Sequence, residues 1–147
     1  MNETKELRSG IYNKGEITLD EIIKSVKNNP KIKKVGSIHV FTGIVRESSK
    51  EGKQVKSMKI DSFDDLANKT IEDICESLKK KNGIIDVKIV HFKGDFSLSD
   101  DLVYVVVASA HREEGFDAIK NAVDLYKKEI AVWKREDFID GTSKWIH

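Results

Sequence analysis

The stretch that decides the fold runs from Leu102 to Glu136 and reads LVYVVVASAHREEGFDAIKNAVDLYKKEIAVWKRE. It opens with an apolar, β-branched run that polar residues bound on both sides, which is typical of a buried strand. Two glutamates, Glu113 and Glu114, come next, and acidic residues favour the first turn of a helix. Apolar residues then recur at steps of three and four and predict an amphipathic helix. They are Phe116, Ile119, Val123, Tyr126 and Ile130.

One basic residue interrupts this apolar stripe. At about 100° per residue, Lys127 projects on the same side of the helix as Phe116 and Val123. A lysine aimed at the interior must reach solvent, find a partner or line a cavity. Reaching solvent from the helix end is the simpler interpretation. A functional interpretation gains weight because other basic residues flank the segment, namely His111, Arg112, Lys134 and Arg135.

The composition bounds the class of protein. The 147 residues, 39% of them apolar and only one of them proline, are consistent with a single folded domain spanning 1–147, with 1–17 as a candidate flexible segment. The 26 basic and 25 acidic residues give a net charge of +1, so bulk charge predicts neither a nucleic acid nor a membrane as partner. The one cysteine, Cys75, excludes an internal disulfide and a cysteine-based metal cluster, and we expect a buried, inert thiol. We find no signal peptide and no membrane-length apolar run, and we expect a cytoplasmic protein.

The remaining elements alternate between hairpins and helices. A Thr18–Glu21 capping box predicts a helix that ends at Asn29–Pro30, and a second helix is expected over Asp64–Lys81 with Leu66 facing inward. We expect strands at Val35–Val45, Val55–Ser62, 85–91, 102–108, 132–136 and 142–146, with a turn at Lys93–Asp95. This order predicts an α+β domain whose helices pack on a largely antiparallel sheet. Gly43 predicts a bulge, and His39 and His91 are interpreted as structural.

Two function classes survive this reasoning from the residues. One is an enzyme that acts on an anionic substrate, and the other is a non-catalytic module that binds an anionic ligand or a partner's tail. A lysine in an apolar stripe favours the enzyme, because desolvation lowers its pKa and makes it usable in proton transfer. The sequence contains no phosphate loop, GxGxxG, HExxH or GxSxG motif. No nucleophilic cysteine or serine motif is evident either, so a reactive sulfur or acyl group must come from another molecule.

Three motifs resemble the large, catalytic subunit of the molybdopterin synthase family. They are Phe41-Thr42-Gly43-Ile44-Val45-Arg46, Ser109-Ala110-His111-Arg112 followed by Lys127, and Trp133-Lys134-Arg135-Glu136. The resemblance extends from about Gly36 to Trp145 and implies an α/β hammerhead-type domain. It implies a sulfurtransferase that forms the dithiolene of molybdopterin on cyclic pyranopterin monophosphate. The sulfur would come from the C-terminal Gly-Gly thiocarboxylate of a small ubiquitin-like subunit, within a heterotetramer built on a homodimer, and no cofactor is implied.

The resemblance also implies roles for individual residues. Lys127 is assigned to the thiocarboxylate and to proton transfer, and Lys134 to polarising the substrate and stabilising developing negative charge. The substrate's phosphate and pterin would be bound by Arg46, His111, Arg112 and, less directly, Arg135. Phe41 and Glu136 are placed nearby in an orienting or purely structural role. The family positions suggest one shared pocket, which a second subunit could complete.

Overall fold

The computed structural model describes residues 7–146. In chain order the elements are β1 (Gly10–Asn13), α1 (Leu19–Lys27), a 3-10 turn (Ile32–Lys34), β2 (Ser37–Ile44), β3 (Val55–Ser62), α2 (Asp64–Lys79), β4 (Ile84–Ser97), β5 (Asp101–Ser109), α3 (Arg112–Glu129), β6 (Val132–Phe138) and β7 (Ser143–Ile146). In this part of the chain, no helix has the length and apolar character that crossing a membrane requires.

The strands form one sheet in the order β2-β5-β4-β3-β6-β7, and β1 adds to β4 in parallel. Every other pairing is antiparallel. The long strand β4 joins the two halves of the sheet, because its first half pairs with β5 and its last residues pair with β3. The predicted α+β class, with helices packed on a largely antiparallel sheet, is confirmed.

The core lies around β4 and β5, which are buried on both faces over most of their length. On one face α2 and α3 cover the two strands. On the other face Asn29, just after α1, donates a hydrogen bond of 3.0 Å to Asp86, and Lys88 donates one of 2.9 Å to the carbonyl of Leu7. Strands covered on both faces read as nearly continuous apolar runs, which explains the Leu102–Ala108 pattern.

Helix α3 packs on the sheet mainly through small residues and only in part through the predicted stripe. Its buried residues are Gly115, Ala118, Ala122 and Tyr126. Of the predicted stripe, Tyr126 is buried and Ile119, Val123 and Ile130 are partly buried against the core, whereas Phe116 is 57% exposed. The centre of the buried face is therefore shifted to one side of the prediction. A Cβ on Gly115 would lie 2.1 Å from Nε2 of His39 and 2.5 Å from Oγ of Ser109, so the start of the helix can approach the sheet only because this position lacks a side chain.

Several other expectations are tested by the elements themselves. The Thr18 capping box and the irregularity at Gly43 are confirmed. The turn predicted at Lys93–Asp95 is wrong, because β4 continues through Gly94 and the chain reverses at Ser99 with a φ of 71°. Leu66 is 52% exposed rather than inward. Within the segment 1–17, residues Gly10–Asn13 form β1 against β4, while 1–6 lie outside the described residues.

We expect Gly115→Ala to destabilise the fold by about 1–3 kcal/mol, since overpacking a tight contact forces backbone or rotamer shifts. Urea unfolding of the two proteins would measure this difference. Asp117→Ala is the matched control, because Asp117 is exposed on the same helix, and we expect a change within about 0.5 kcal/mol. Equal unfolding midpoints for wild type and Gly115→Ala would contradict the close contact.

Candidate functional site

Two lysines without carboxylate partners lie together where α3 ends and β6 begins its run along the sheet. Lys127 occupies the last turn of α3, and Lys134 lies on β6 opposite Ile60 of β3. Ile60 is buried, and residues directly opposite in an antiparallel pair share one face. Lys134 therefore extends along the inner face of the sheet and is only partly exposed, whereas Lys127 is exposed. Within residues 7–146 neither ammonium makes a hydrogen bond or an ion pair.

The surroundings of Lys134 disfavour its positively charged form. Burial lowers the pKa of Lys134, and the nearby charge of Lys127 lowers it further. Many other lysines in the described part of the chain neutralise a carboxylate, as Lys14 does with Asp100 at 2.7 Å. An anion bound between the two ammonium groups would relieve both the desolvation and the repulsion, so the arrangement is suited to hold a negatively charged group.

The exposure of Lys127 corrects the sequence-based interpretation. Lys127 does not lie on the buried stripe, because Tyr126 takes the inward position in the last turn of α3. The large apolar residues of α3 border its buried face, and the centre of that face is formed mainly by the small residues. The desolvated lysine is Lys134, which the strand alternation of β6 turns inward between Val132 and Glu136.

His111 and Arg112 lie far from the lysine pair within one chain. They stand at the start of α3, where the amide of His111 donates to Glu114 at 3.2 Å. Lys127 follows His111 by sixteen residues of helix, a separation of about 24 Å. The predicted single pocket is therefore not formed by these residues within one chain.

Arg46 and Phe41 lie on or just beyond β2. Arg46 follows the end of β2, next to the start of β5, and its Nε donates to the carbonyl of Ser48 at 3.1 Å. Phe41 is partly buried and lies on the same face as His39, whose ring contacts Phe116 of α3. Arg46 and His111 thus lie at opposite ends of the β2–β5 pair, about 25 Å apart along the strands. Arg46 therefore lies at the same end of the sheet as the C-terminal end of α3.

Arg135 and Glu136 occupy opposite faces of β6. Arg135 forms bonds of 2.8 and 3.2 Å with the carboxylate of Asp137 and lies 5.7 Å over the ring of Trp145. Its guanidinium is therefore engaged on the face of β6 opposite to Lys134, and its role in substrate binding stays a prediction. Glu136 lies on the same face of β6 as Lys134, and its cross-strand partner on β7 is Lys144. In the described residues Glu136 forms no ion pair with Lys134 or with Lys144, which instead pairs with Glu51.

Three cavities of about 230–550 Å³ lie away from the lysine pair. The largest borders the start of β2 and is lined in part by Ile32, Val35 and Ile38. The second lies beside Cys75 and the third beside the exposed side of α3 around Asp117. None of these three cavities is lined by Lys127 or Lys134.

Cys75 is the only thiol in the sequence and is not available for chemistry. It is buried on α2, and burial raises its pKa to about 11. A thiol with such a pKa stays protonated at neutral pH and is a poor nucleophile. Residues 7–146 also contain no group of three His, Cys, Asp or Glu side chains that could hold a metal ion. The expected burial of Cys75 is confirmed.

Comparisons with known proteins give a consistent result. The model of the MoaE protein family matches residues 12–129. A molybdopterin synthase catalytic subunit from Pyricularia oryzae is 34% identical over 110 residues, which cover 75% of this chain and 60% of that protein. The corresponding subunit from Thermoplasma volcanium is 33% identical over 110 residues, covering 75% of this chain and 80% of that protein. The crystal structure of molybdopterin synthase from Staphylococcus aureus superimposes with a TM-score of 0.82 at 28% identity, covering 99% of both chains.

We expect the loss of the Lys134 charge by itself to favour Lys134→Met over the wild type at pH 7, by about 0.5–2 kcal/mol in the free energy of unfolding, the usual range for a stabilising change. Because the pKa of Lys134 is lowered on folding, the folded state binds this proton less tightly than the unfolded chain does. The cost of the charge is complete at neutral pH and disappears as the pH rises through the lowered pKa toward the ordinary value of 10.5. Urea unfolding between pH 7 and pH 10.5 should show the advantage of the variant shrinking. Lys128→Met, at an exposed position of α3, should show no such trend.

Proposed function

Since the chain belongs to the MoaE protein family, we propose that it is the catalytic subunit of a molybdopterin synthase. In this role it transfers sulfur from the thiocarboxylated C-terminus of a small ubiquitin-like subunit to cyclic pyranopterin monophosphate. The observation that carries the proposal is the pair formed by Lys127 and Lys134, two neighbouring cations without a carboxylate partner in the described residues. A site of this kind suits a reaction whose substrate and sulfur donor are both anions.

The need for a separate sulfur donor follows from the single cysteine. Cys75 is buried, and its pKa of about 11 keeps it as a thiol at neutral pH. The chain therefore brings no reactive sulfur of its own to the lysine pair. A partner whose flexible C-terminal tail ends in a thiocarboxylate supplies both the sulfur and a negative charge that two ammonium groups attract.

The two lysines differ in exposure, and this difference suggests a division of roles. Lys134 is desolvated and its pKa is lowered, which suits a group that exchanges a proton with the substrate during sulfur transfer. Lys127 is exposed and therefore accessible to the partner's C-terminal tail, whose thiocarboxylate its charge holds. Proton transfer thus moves from Lys127, where the sequence suggested it, to Lys134.

A second copy of the chain is needed to bring His111 and Arg112 to the lysine pair. Within one chain these residues lie about 24 Å from Lys127, at the other end of α3. In a two-fold dimer the same surface patch faces itself, so one end of a helix can meet the opposite end of its partner. The edge strand β2 exposes Val40 and Ile44 and is available for such a contact. In the complete site, His111 and Arg112 of one copy bind the phosphate of the substrate held by the other copy's lysines.

The proposed reaction is tested by single-turnover conversion of cyclic pyranopterin monophosphate with a thiocarboxylated partner subunit. We expect Lys134→Arg to lose at least about 10²-fold in rate, because a guanidinium stays protonated and cannot exchange the proton. Lys127→Arg should retain more of the rate, since it keeps the positive charge. The exposed Lys128→Ala on the same helix serves as the control and should leave the rate unchanged. Near-normal turnover by Lys134→Arg, or turnover with free sulfide that ignores the partner, would contradict the proposal.

Completion of the site across a dimer is tested by mixing two inactive variants. Arg112→Ala and Lys134→Ala should each be inactive alone. A mixed dimer carries one site with both substitutions and one intact site, so unfolding and refolding the variants together should restore about a quarter of wild-type turnover. A mixture of Lys134→Ala with Lys127→Ala is the matched control. Both substitutions affect the lysine half of the site, so every mixed dimer carries two defective sites and no turnover should be restored. Failure of the first mixture to recover activity while mixed dimers form would contradict completion of the site across the dimer.

A further inference from the structure

Four polar side chains are buried in the sheet, and one of them differs from the rest. Three make hydrogen bonds within residues 7–146, and they are Asp86, Lys88 and Ser109. The fourth is His91, which is 0% exposed and whose Nε2 has no hydrogen-bond partner in the described part of the chain. A buried polar atom without a partner costs free energy, so its retention in the middle of β4 calls for a reason.

The contacts of His91 fix its ring and its tautomer. Nδ1 lies 3.0 Å from the carbonyl oxygen of Phe92. A carbonyl can only accept, so Nδ1 carries the proton and Nε2 of the neutral ring presents a lone pair. Tyr126, the neighbour of Lys127 on α3, meets the ring edge to face at 5.8 Å. His91 is therefore a fixed hydrogen-bond acceptor that contacts α3 and lies near enough to Lys134 to be influenced by its charge.

The charged and titratable groups that face His91 come from two elements, with Lys134 on β6 and Tyr126 on α3. Its cross-strand neighbours, Val103 on β5 and Ile11 on β1, are apolar, and α2 buries only apolar residues and Cys75 against the sheet. Burial, followed by the charge of Lys134, lowers the pKa of His91 to about 3. The ring is therefore neutral at physiological pH and too weak a base to remove a proton from an ammonium group.

We propose that His91 is a positioning residue for Lys134, whose ammonium donates a hydrogen bond to Nε2. No such bond is present with the side chains as they lie, and the flexible four-carbon stem of Lys134 can form it by torsion while the ring stays fixed. A neutral acceptor orients the ammonium without cancelling its charge. A carboxylate at the same place would neutralise the lysine and repel an anionic substrate, so a neutral imidazole is the better support for an anion-binding lysine. The catalytic consequence rests on the proposed function, whereas formation of the hydrogen bond can be tested in the free protein.

The hydrogen bond can be observed without any reaction. The ¹⁵N chemical shifts of the His91 ring report the tautomer and whether Nε2 accepts a hydrogen bond. We expect the Nε2 resonance of the free wild-type protein to show an accepted bond, and to move to the position of an unbonded acceptor in Lys134→Met. Lys128→Met is the matched control and should leave the resonance in place. An Nε2 resonance that is the same in wild type and in Lys134→Met would overturn the proposal.

Replacing His91 tests the same bond from the other side. His91→Phe keeps the ring volume and removes the acceptor, and His91→Gln returns an amide oxygen near the position of Nε2. Because an acceptor stabilises the charged lysine, the pKa of Lys134, followed through its Nζ resonance, should fall in His91→Phe and recover in His91→Gln. Single-turnover sulfur transfer should fall roughly tenfold in His91→Phe, the effect of losing one hydrogen bond to a charged group, and recover in part in His91→Gln.

The outcomes separate this proposal from the proposed function. Tyr104→Phe, which removes a hydrogen bond to Asp101 on the other face of the sheet, controls for a general loss of stability and should not change the pKa of Lys134. An unchanged Lys134 titration in His91→Phe would overturn the positioning role, even if the enzyme converts its substrate. Should His91→Phe fail to fold, the ¹⁵N comparison in Lys134→Met still decides the question. Absence of turnover by the wild type would reject the proposed function and leave the hydrogen bond testable.

Discussion

The antiparallel pairing of β4 with β5 is the interaction on which the rest of the structure depends. Both strands are buried on both faces, so every backbone group along them must be satisfied within the ladder. The pairing leaves one face for α2 and α3 and the other for α1 and the segment before it. The last residues of β4 extend beyond β5 and pair with β3 in the second half of the sheet. There β3 pairs with β6 and fixes the register of Lys134.

The lysine pair shows how a stable core supports a costly site. Lys134 lies on a strand whose neighbours Val132 and Phe138 are anchored in the core, so its backbone cannot move away from Lys127 to relieve the repulsion. The same core holds the ring of His91 with one unsatisfied nitrogen. Such groups weaken the isolated fold, and an anion bound beside the lysines would offset part of this cost.

Local patterns predicted most of the fold, and they pointed to basic residues for a candidate site without giving the spatial arrangement of those residues. Capping at Thr18, the strand at 132–136 and the glycine irregularity in β2 depend on neighbouring residues and were predicted correctly. The turn expected at Gly94 was wrong, because pairing with β3 keeps the strand extended there. The centre of the buried face of α3 was also shifted from the prediction, since close approach to the sheet selects small residues such as Gly115 over large ones such as Phe116.

The sequence by itself determined the α+β class, the order of the elements and the basic residues from which the site is drawn, because these follow from periodicity, turn chemistry and motif spacing along the chain. Only the tertiary structure decided which lysine is desolvated, that Arg135 is engaged by Asp137, and that the start of α3 lies about 24 Å from its end. It also decided that His91 is fully buried and that its Nε2 has no hydrogen-bond partner in the described residues. These properties depend on distances between residues far apart in the chain, and such distances are set by packing rather than by local pattern.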